Sequence, residues 1–301
     1  MHAVVVGSLV VDVAFHIPRT PVGGEVIIAE RYGVYFGGKG YNQAVALARL
    51  GAQVTLIAAV GDDDWGAALR DSLEAEGVDH SRLRTIRGER SGAAVPLITP
   101  DGDVGFVHYP GANLHLSESD VRDLPACDLL LLQGEVHTVT SVEAGQAALR
   151  LASPPLIFLN TAPVQRVTPD LLQVASVVCA NEIEARVLTN SPETIADADL
   201  PQRLRADGQT AIVTLGARGA AWADGVDHGF QAPPRIRAVD ATGAGDSFCA
   251  ATAFRLVDGA SIAEAVRFGC AAGAHAATIE GAAPGLPRRS DIERLLATLT
   301  S

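Results

Sequence analysis

Two glycine-rich segments, each followed by a helical pattern, carry side chains that could act on a phosphate and a hydroxyl group. The first is Asp240-Ala-Thr-Gly-Ala-Gly-Asp246, ahead of the mostly apolar stretch SFCAATAFRLV. Gly243 and Gly245 have no Cβ atom, so the backbone could approach a ligand closely. A helix that begins here directs unpaired N–H groups outward, which would form a pocket for the charge on a phosphoryl group. Asp246 could accept the proton of an attacking hydroxyl, although it also suits a plain helix N-cap.

The second segment is Phe36-Gly-Gly-Lys-Gly-Tyr-Asn42-Gln, where glycines again lead into a predicted helix, from about Tyr41 to Leu50. It places Lys39, the only lysine of the chain, and Asn42 on or near the first turn. Backbone amides and polar side chains in this arrangement suit the recognition of hydroxyl groups. A tight strand-to-helix turn with a helix cap is the alternative interpretation.

Two further segments follow predicted strands. Asn181-Glu-Ile-Glu184 comes after the apolar run Val174–Ala180, and Thr214-Leu-Gly-Ala-Arg-Gly219 ends another strand in a glycine turn. Ligands of open α/β sheets bind at the carboxyl ends of parallel strands. Asn181 and Glu184, three positions apart on one helix face, could hold a phosphate and a hydrated Mg²⁺ ion. The alternatives are an Asn N-cap with an exposed acidic first turn, and a plain hairpin at 214–219.

Regular alternation of strands and helices predicts the scaffold for these segments. Strands are expected at Ala3–Gly7, Val54–Val60, Leu129–Gln133, Leu156–Asn160, Val174–Ala180 and Ala211–Leu215, and helices at Trp65–Glu76 and from near Gly245 and Ile262. A second hairpin is expected around Asp224-Gly225. Such alternation is typical of a parallel sheet with helices on both faces.

Two early β-rich segments, about 9–36 and 92–112, do not fit that alternation. In the second, Ala93–Thr99 and Asp103–Tyr109 flank Pro100-Asp101-Gly102, which is turn chemistry and predicts a hairpin. We expect these segments to form a small separate sheet that acts as a lid over one end of the main sheet. The 301 residues would then form a single domain with a lid.

Composition excludes several classes of protein. The formal net charge of −12 and the absence of Lys/Arg runs exclude a wrapped nucleic-acid surface. The apolar N-terminus reaches Asp12 too soon for a signal peptide or a membrane span. Four widely spaced cysteines fit reduced thiols in a cytoplasmic protein. The chain has no GxxxxGK[ST], GxSxG or GxGxxG motif, which disfavours a P-loop protein, a serine hydrolase and an NAD-linked dehydrogenase.

Nearly the whole chain resembles ribokinase and the wider ribokinase-like (PfkB-type) carbohydrate kinases. The specific motifs are FGGKGYNQAVALARLGA and VDATGAGDSF, and HYPGAN, LLLQGE, LNTAP, ANEIEA and TLGARG match in order. The resemblance implies a three-layer α/β/α sandwich with a mostly parallel central sheet and a small β-sheet lid. It also implies transfer of the γ-phosphoryl group of ATP to a hydroxymethyl group of ribose or a related pentose.

The resemblance assigns a role to each matching position. Asp246 would be the catalytic base, and the amides of Gly243, Ala244 and Gly245 would form an anion hole. The sugar would be held by Asp12, Gly38, Lys39, Asn42 and Glu135. ATP would contact Asn181, Thr214, Gly216 and Gly219, with Glu184 ordering the water on Mg²⁺. A K⁺ ion is implied at Asp240, Thr242, Ala276 and Gly281. The lid would also pair two subunits into a homodimer.

Two departures from the family pattern bear on the acceptor and the cation. Val10 stands where ribokinase has an asparagine that bonds the sugar, and Gly285 replaces a serine near the cation site. One lost hydroxyl contact changes affinity by roughly 1–3 kcal/mol, enough to alter substrate preference. A nucleoside kinase and a phosphosugar kinase therefore remain alternatives, the latter with Lys39, Arg19 and Arg31 as nearby cations. A non-catalytic sugar or nucleotide sensor is the alternative of another class.

Overall fold

The computed structural model describes residues 1–100 and 104–298. The strands within these ranges are β1 (His2–Val6), β2 (Val10–His16), β3 (Arg31–Gly37), β4 (Gln53–Gly61), β5 (Leu83–Ile86), β6 (Gly92–Ile98), β7 (Val104–Tyr109), β8 (Leu129–Leu132), β9 (Leu156–Asn160), β10 (Val177–Asn181), β11 (Thr210–Thr214), β12 (Ala220–Ala223) and β13 (His228–Gln231). The helices are α1 (Lys39–Arg49), α2 (Asp64–Ala75), α3 (Glu118–Val121), α4 (Thr138–Leu149), α5 (Pro169–Val174), α6 (Glu182–Thr189), α7 (Leu200–Leu204), α8 (Ala244–Val257), α9 (Ile262–Ala276), α10 (Ala282–Gly285) and α11 (Arg289–Ala297).

The central sheet has the strand order β13-β12-β11-β10-β9-β8-β1-β4-β5. The seven strands from β11 to β5 are parallel, and β12 and β13 add an antiparallel edge. Strand β8 consists of four leucines, all buried, because helices cover both faces of the sheet. Full burial of each leucine contributes about 1.5–3 kcal/mol. The fold class predicted from the alternation, a parallel sheet between helical layers, is confirmed.

Alternate residues of each central strand enter two separate cores. In β1, Ala3 and Val5 pack with α1, α2, α8, α9 and α11, whereas Val4 and Val6 pack with α3 to α7. This two-sided pattern explains why the central strands are almost uninterrupted apolar runs. The helices of the described ranges include none that is both long and apolar enough to cross a membrane.

The lid is a four-stranded sheet of order β3-β2-β6-β7. Strand β2 pairs antiparallel with β3 and parallel with β6, and β6 pairs antiparallel with β7. The expected separate sheet from the two early β-rich segments is thus present. The turn predicted at Pro100-Asp101-Gly102 lies outside the described residues from position 101 onward.

The strand predicted at Val174–Ala180 starts three residues late. Thr168 accepts a hydrogen bond from the backbone N–H of Leu171, and Pro169 occupies the first helical turn, so α5 continues to Val174. The apolar run is therefore divided between the end of a helix and strand β10. The predicted hairpin at Asp224-Gly225 is confirmed, and the Asp224 carboxylate accepts the N–H groups of Val226 and Asp227 in its turn.

Candidate active site

A cavity of about 930 Å³ lies between the lid and the carboxyl ends of the central strands. Ten of the residues proposed from the sequence line it: Asp12, Gly38, Lys39, Asn42, Glu135, Glu184, Asp240, Thr242, Gly243 and Asp246. The backbone positions Ala244 and Gly245 continue from its wall into α8. The candidate residues Asn181, Thr214, Gly216, Gly219, Ala276 and Gly281 do not line this cavity.

Asp246 lies in the first turn of α8 and is only 6% exposed. Its Oδ2 accepts a hydrogen bond from Asn42 Nδ2 at 2.9 Å, and its Oδ1 accepts one from Gln43 Nε2 at 3.0 Å. Burial raises the pKa of this carboxyl, while Lys39 and the two amide donors oppose that rise. The sequence alternative of a simple N-cap does not apply, because Gly243 is the N-cap and no side chain caps the helix.

The backbone ahead of Asp246 leaves N–H groups for an anion. Gly243 has a left-handed φ of 79°, which turns the chain into the helix. The N–H of Ala244 donates to the carbonyl of Ala241 at 3.1 Å, but within the described ranges the N–H groups of Gly245 and Asp246 have no acceptor. A Cβ placed on Gly245 would meet nothing within 4 Å, so the side of the turn at this residue is open.

Asp240 shapes the loop that leads to this turn. Its Oδ1 accepts the N–H and Oγ1–H of Thr242, at 2.9 and 2.6 Å, and its Oδ2 accepts the N–H of Gly281 at 2.8 Å. The backbone N–H of Asp240 itself donates to the carbonyl of Ala277, next to Ala276. The structure therefore brings the four residues proposed for K⁺ into one neighbourhood next to the turn at Gly243.

Five acidic or basic groups lie together in the wall of the cavity, and they are Asp12, Lys39, Glu135, Glu184 and Asp246. Glu135 Oε2 accepts the N–H of Lys39 at 2.8 Å and also the hydroxyl of Ser8. Burial would lower the pKa of the Lys39 ammonium, but Asp246, Glu135 and Glu184 outweigh it and hold that pKa above its usual value. Burial, reinforced by Glu135 and Asp246, raises the pKa of Asp12 to about 7.

The nucleotide candidates cluster where β10 and β11 end. Asn181 and Thr214 are partners in the strand register. Asn181 caps α6, and Glu184 Oε2 accepts both the Asn181 N–H at 3.1 Å and the Thr161 hydroxyl at 2.8 Å. The sequence alternative of an exposed acidic first turn is wrong for Glu184, which is 7% exposed because it is folded back onto Thr161.

The turn at 214–219 joins the antiparallel strands β11 and β12, so it is the hairpin that the sequence offered as the alternative, and its loop is rich in glycine. Gly216 and Gly219 both have positive φ, 58° and 112°. A Cβ on Gly219 would lie 2.0 Å from the carbonyl oxygen of Gln231, so only glycine fits there. Between them, Arg218 is anchored by ion pairs with Asp197 and Glu182.

The structure adds residues that the sequence did not single out. Gln43 and Gln133 are buried behind Asp246, and Glu280 accepts hydrogen bonds from three lid residues, Arg31 at 2.6 Å, His16 at 3.2 Å and Tyr35 at 3.2 Å. Gln43 directly follows Asn42 in a motif already recognised. No sequence signal connects Glu280 with β2 and β3, which are more than 240 residues away.

Asp12 gives a prediction about stability and pH. The pKa of Asp12 is about 7 in the folded protein, against an ordinary value of 3.8, so the folded state binds this proton more tightly than the unfolded state does. The stability that the bound proton supplies is complete below pH 3.8 and is lost as the pH rises through about 7. Asn does not titrate. We therefore expect Asp12→Asn to raise the melting temperature relative to wild type, and to do so more at pH 8 than at pH 5.

Asp224→Asn is the matched control. Hydrogen bonds from the N–H groups of Asp227 and Val226 lower the pKa of Asp224, so its stabilising contribution is complete above its ordinary pKa of 3.8. The melting temperature of this variant should differ from wild type by the same amount at pH 5 and pH 8. An Asp12→Asn difference that is equally constant over this range contradicts the raised pKa of Asp12.

Known proteins resemble this chain both in sequence and in architecture. The chain matches the family described as "pfkB family carbohydrate kinase" over residues 2–289. It is 33% identical to a ribokinase of Haemophilus influenzae over 302 residues, which cover 95% of each chain. A crystal structure of a Thermotoga maritima ribokinase superposes with a TM-score of 0.87 at 28% identity, covering 98% of this chain and 99% of that one. The Arabidopsis thaliana ribokinase, solved with ribose and ATP, also gives 0.87, at 29% identity and 98% coverage of both chains. This chain therefore belongs to the pfkB family of carbohydrate kinases.

Proposed function

We propose that the chain is an ATP-dependent sugar kinase that transfers the γ-phosphoryl group to a hydroxymethyl group of ribose or a related pentose. The observation that carries the proposal is the buried carboxylate of Asp246, which lines the cavity beside free N–H groups at the start of α8. Phosphoryl transfer needs an aligned hydroxyl, neutralised phosphate oxygens and little water. A base next to an anion-binding turn, under a lid, supplies those conditions.

In this mechanism Asp246 accepts the proton of the acceptor hydroxyl as that oxygen attacks the γ-phosphorus, and the bond from the γ-phosphorus to the β,γ-bridging oxygen breaks, so that ADP leaves with that oxygen. Burial raises the pKa of Asp246, which makes its carboxylate a stronger base than an exposed one, and Lys39 opposes that rise. The amides of Gly243, Ala244 and Gly245 stabilise the charge on the phosphoryl oxygens. For the amide of Ala244 this requires release of its hydrogen bond to Ala241, whereas that of Gly245 is already free.

The sugar is held by Asp12, Gly38, Lys39, Asn42 and Glu135, according to this proposal. Asn42 supports it directly, because its Oδ1 is buried and has no hydrogen-bond partner among the described residues. An unpaired buried acceptor costs stability, and a sugar hydroxyl would satisfy it. Asp12 must be ionised to accept from two hydroxyl groups, so sugar binding should weaken below its pKa of about 7.

Asn181, Thr214, Gly216 and Gly219 would hold the nucleotide, and Glu184 would help to hold Mg²⁺, which would neutralise charge on the phosphates. Both hydrogen bonds to Glu184 go to Oε2, so Oε1 is left to order a water molecule on the ion. The part of the chain that the structure describes has no cluster of three metal-binding side chains. Magnesium at such a site takes its other ligands from phosphates and water.

A K⁺ ion fits the loop beneath the anion hole. Asp240, Thr242, Ala276 and Gly281 offer one carboxylate together with hydroxyl and carbonyl oxygens, the donor set that a hard cation prefers. Gly285 keeps this region compact, because a Cβ there would lie 2.8 Å from the Ala276 carbonyl oxygen. The ion would hold the turn at Gly243 in its anion-binding shape.

The neighbouring charges favour an uncharged acceptor over a phosphosugar. Lys39 is surrounded by carboxylates, Arg31 pairs with Glu280, and Arg19 pairs with Glu25. Each cation proposed from the sequence for a second phosphate is therefore already neutralised. Val10 adds an apolar wall that is 3% exposed, which favours an acceptor with little polarity there and keeps a nucleoside as the second candidate.

The lid also supports a homodimer. The face of the lid that points away from the cavity is apolar. The residues that share this outward face in the strand register are Val13, Phe15, Tyr32, Val34, Val95, Leu97, Val107 and Tyr109. Tyr32, Val34, Val107 and Tyr109 are at least half exposed. A second copy of the lid would cover this surface.

The free cysteines fit a reducing compartment, and we place the protein in the cytoplasm.

Asp246→Asn tests the catalytic proposal. Asparagine keeps the shape and the hydrogen bonds to neighbouring donors in part, but it cannot accept the hydroxyl proton. We expect turnover with ribose and ATP, measured by coupled detection of ADP, to fall about 10²–10⁴-fold with the fold intact. Wild-type turnover should be higher with ribose than with nucleosides or phosphosugars.

Asp258→Asn, at the other end of α8 and paired with Arg255 on the surface, is the control and should keep wild-type turnover. Near-normal turnover of Asp246→Asn removes the base assignment. A wild-type protein that hydrolyses ATP equally with and without every acceptor would instead favour the non-catalytic sensor.

Val34→Glu tests the dimer. A carboxylate on the apolar outward face should separate the subunits, so light scattering after size exclusion should give twice 31.2 kDa for wild type and 31.2 kDa for the variant. Val226→Glu, on an exposed turn distant from the lid, should remain dimeric. Equal masses for wild type and Val34→Glu would show that this face is not the interface.

A further inference from the structure

Two glutamine side chains form a directed hydrogen-bond chain that ends on Asp246. Gln133 follows β8, Gln43 lies in α1, and both are completely buried. Gln133 Nε2 donates to Gln43 Oε1 at 2.6 Å, and Gln43 Nε2 donates to Asp246 Oδ1 at 3.0 Å. Neither glutamine lines the cavity, so neither is placed to touch a substrate.

The direction of this chain is fixed by the carboxylate. An ionised carboxylate only accepts hydrogen bonds, so Gln43 must present its NH₂ group to Asp246 and its oxygen to Gln133. Gln133 must then present its own NH₂ group. If either amide were reversed, two acceptors would face each other across a buried hydrogen-bond distance.

The hydrogen bonds from Gln133 through Gln43 to Asp246 come with a loss of folding stability, which indicates that the two glutamines have a role other than packing. Gln133 Oε1 is buried without a hydrogen-bond partner among the described residues. It also requires glycine at position 7, since a Cβ there would lie 2.1 Å from that oxygen. Two apolar side chains of similar shape would avoid the unpaired acceptor. The compensating benefit therefore has to lie at the other end of the chain, on Asp246.

We propose that Gln43 is a positioning residue for the base Asp246 and that Gln133 locks Gln43 in its donating orientation. The inference rests on the proposed function of Asp246. Gln43 occupies Oδ1 from the side away from the cavity, which holds the carboxylate plane and leaves Oδ2, beside Asn42, turned towards the acceptor. Asn42 lines the cavity and can exchange its contact for substrate, whereas Gln43 cannot.

The hydrogen bond from Gln43 also affects the pKa of Asp246. Burial and Glu135 raise the pKa of Asp246, and Lys39, Asn42 and Gln43 oppose them. Asp12 faces the same cavity as a further carboxyl whose pKa is raised in part by Asp246. Removal of the Gln43 donor leaves the other groups in place, so the pKa of Asp246 should rise and the base should be protonated at a higher pH.

The test uses methionine, an unbranched apolar residue of similar length. We expect Gln43→Met to lower kcat about 10–10²-fold with ribose and ATP, to move the acid limb of the kcat–pH profile to higher pH, and to leave both KM values within about 2-fold. Gln133→Met should do the same to a smaller extent. The double variant should match Gln43→Met in kcat, because both changes interrupt one chain.

Thermal melting separates this role from a structural one. Gln43→Met alone leaves the buried Gln133 amide without its partner, whereas the double variant removes that amide and its orphaned oxygen as well, so the double variant should melt higher than Gln43→Met while being equally impaired in kcat. Gln209→Met is the matched control: its amide is also buried, but it bonds the carbonyl oxygens of Leu172 and Ala175 far from the cavity. This variant should lose stability and keep the wild-type pH profile.

The outcomes distinguish this inference from the proposed function. If Asp246→Asn is inactive but the folded Gln43→Met and double variants keep the wild-type kcat and pH profile, the positioning role is wrong and the base assignment stands. A change in KM alone would also overturn it, because it would indicate substrate contact. If Asp246→Asn itself is fully active, the proposed function fails first.

Discussion

The placement of one buried carboxylate at a helix start is the constraint on which the rest of the site depends. Asp246 is held between α1 and α8 by amide donors on both oxygens, with the Lys39 ammonium as its nearby counter-charge. Isolated in an apolar core, such a carboxyl would take up a proton and could not act as a base. The site therefore collects its polar groups around Asp246, and two of their oxygens, Asn42 Oδ1 and Gln133 Oε1, have no hydrogen-bond partner in the part of the chain that the structure describes.

The scaffold explains how residues from distant parts of the chain meet there. Parallel strands deliver their carboxyl ends to a single edge of the sheet, so Ser8 after β1, Glu135 after β8, Thr161 after β9 and Asn181 at the end of β10 are neighbours. The lid then brings Asp12 over this edge on β2. Glu280 connects the lid with the loop that leads to Gly243, because its neighbour Gly281 donates to Asp240. The lid and the loop that leads into α8 are thus parts of one hydrogen-bonded assembly.

Much of this could be read from the sequence because it is local. Apolar periodicity predicted most of the strands and helices, and the two glycine-led segments predicted helix starts that do line one cavity. Strand β10 was misplaced because Leu171 and Val174 are as apolar in a helix as in a strand, and only the Thr168 cap decides between them. The chain from Gln133 through Gln43 to Asp246 could not be predicted, since it joins three positions separated by 90 and 203 residues. Such contacts depend on tertiary structure alone.

The central claim is that the start of α8 receives the migrating phosphoryl group while Asp246 faces the acceptor. A crystal structure with ribose, Mg²⁺, ADP and a metal-fluoride mimic of the phosphoryl group measures this most directly. The account predicts that the mimic is bound by the backbone amides of residues 243–245 and that a ribose hydroxymethyl oxygen lies within hydrogen-bond distance of the Asp246 carboxylate, about 2.6–3.2 Å. A mimic bound away from this turn, or a ribose whose hydroxymethyl group points away from Asp246, would contradict it.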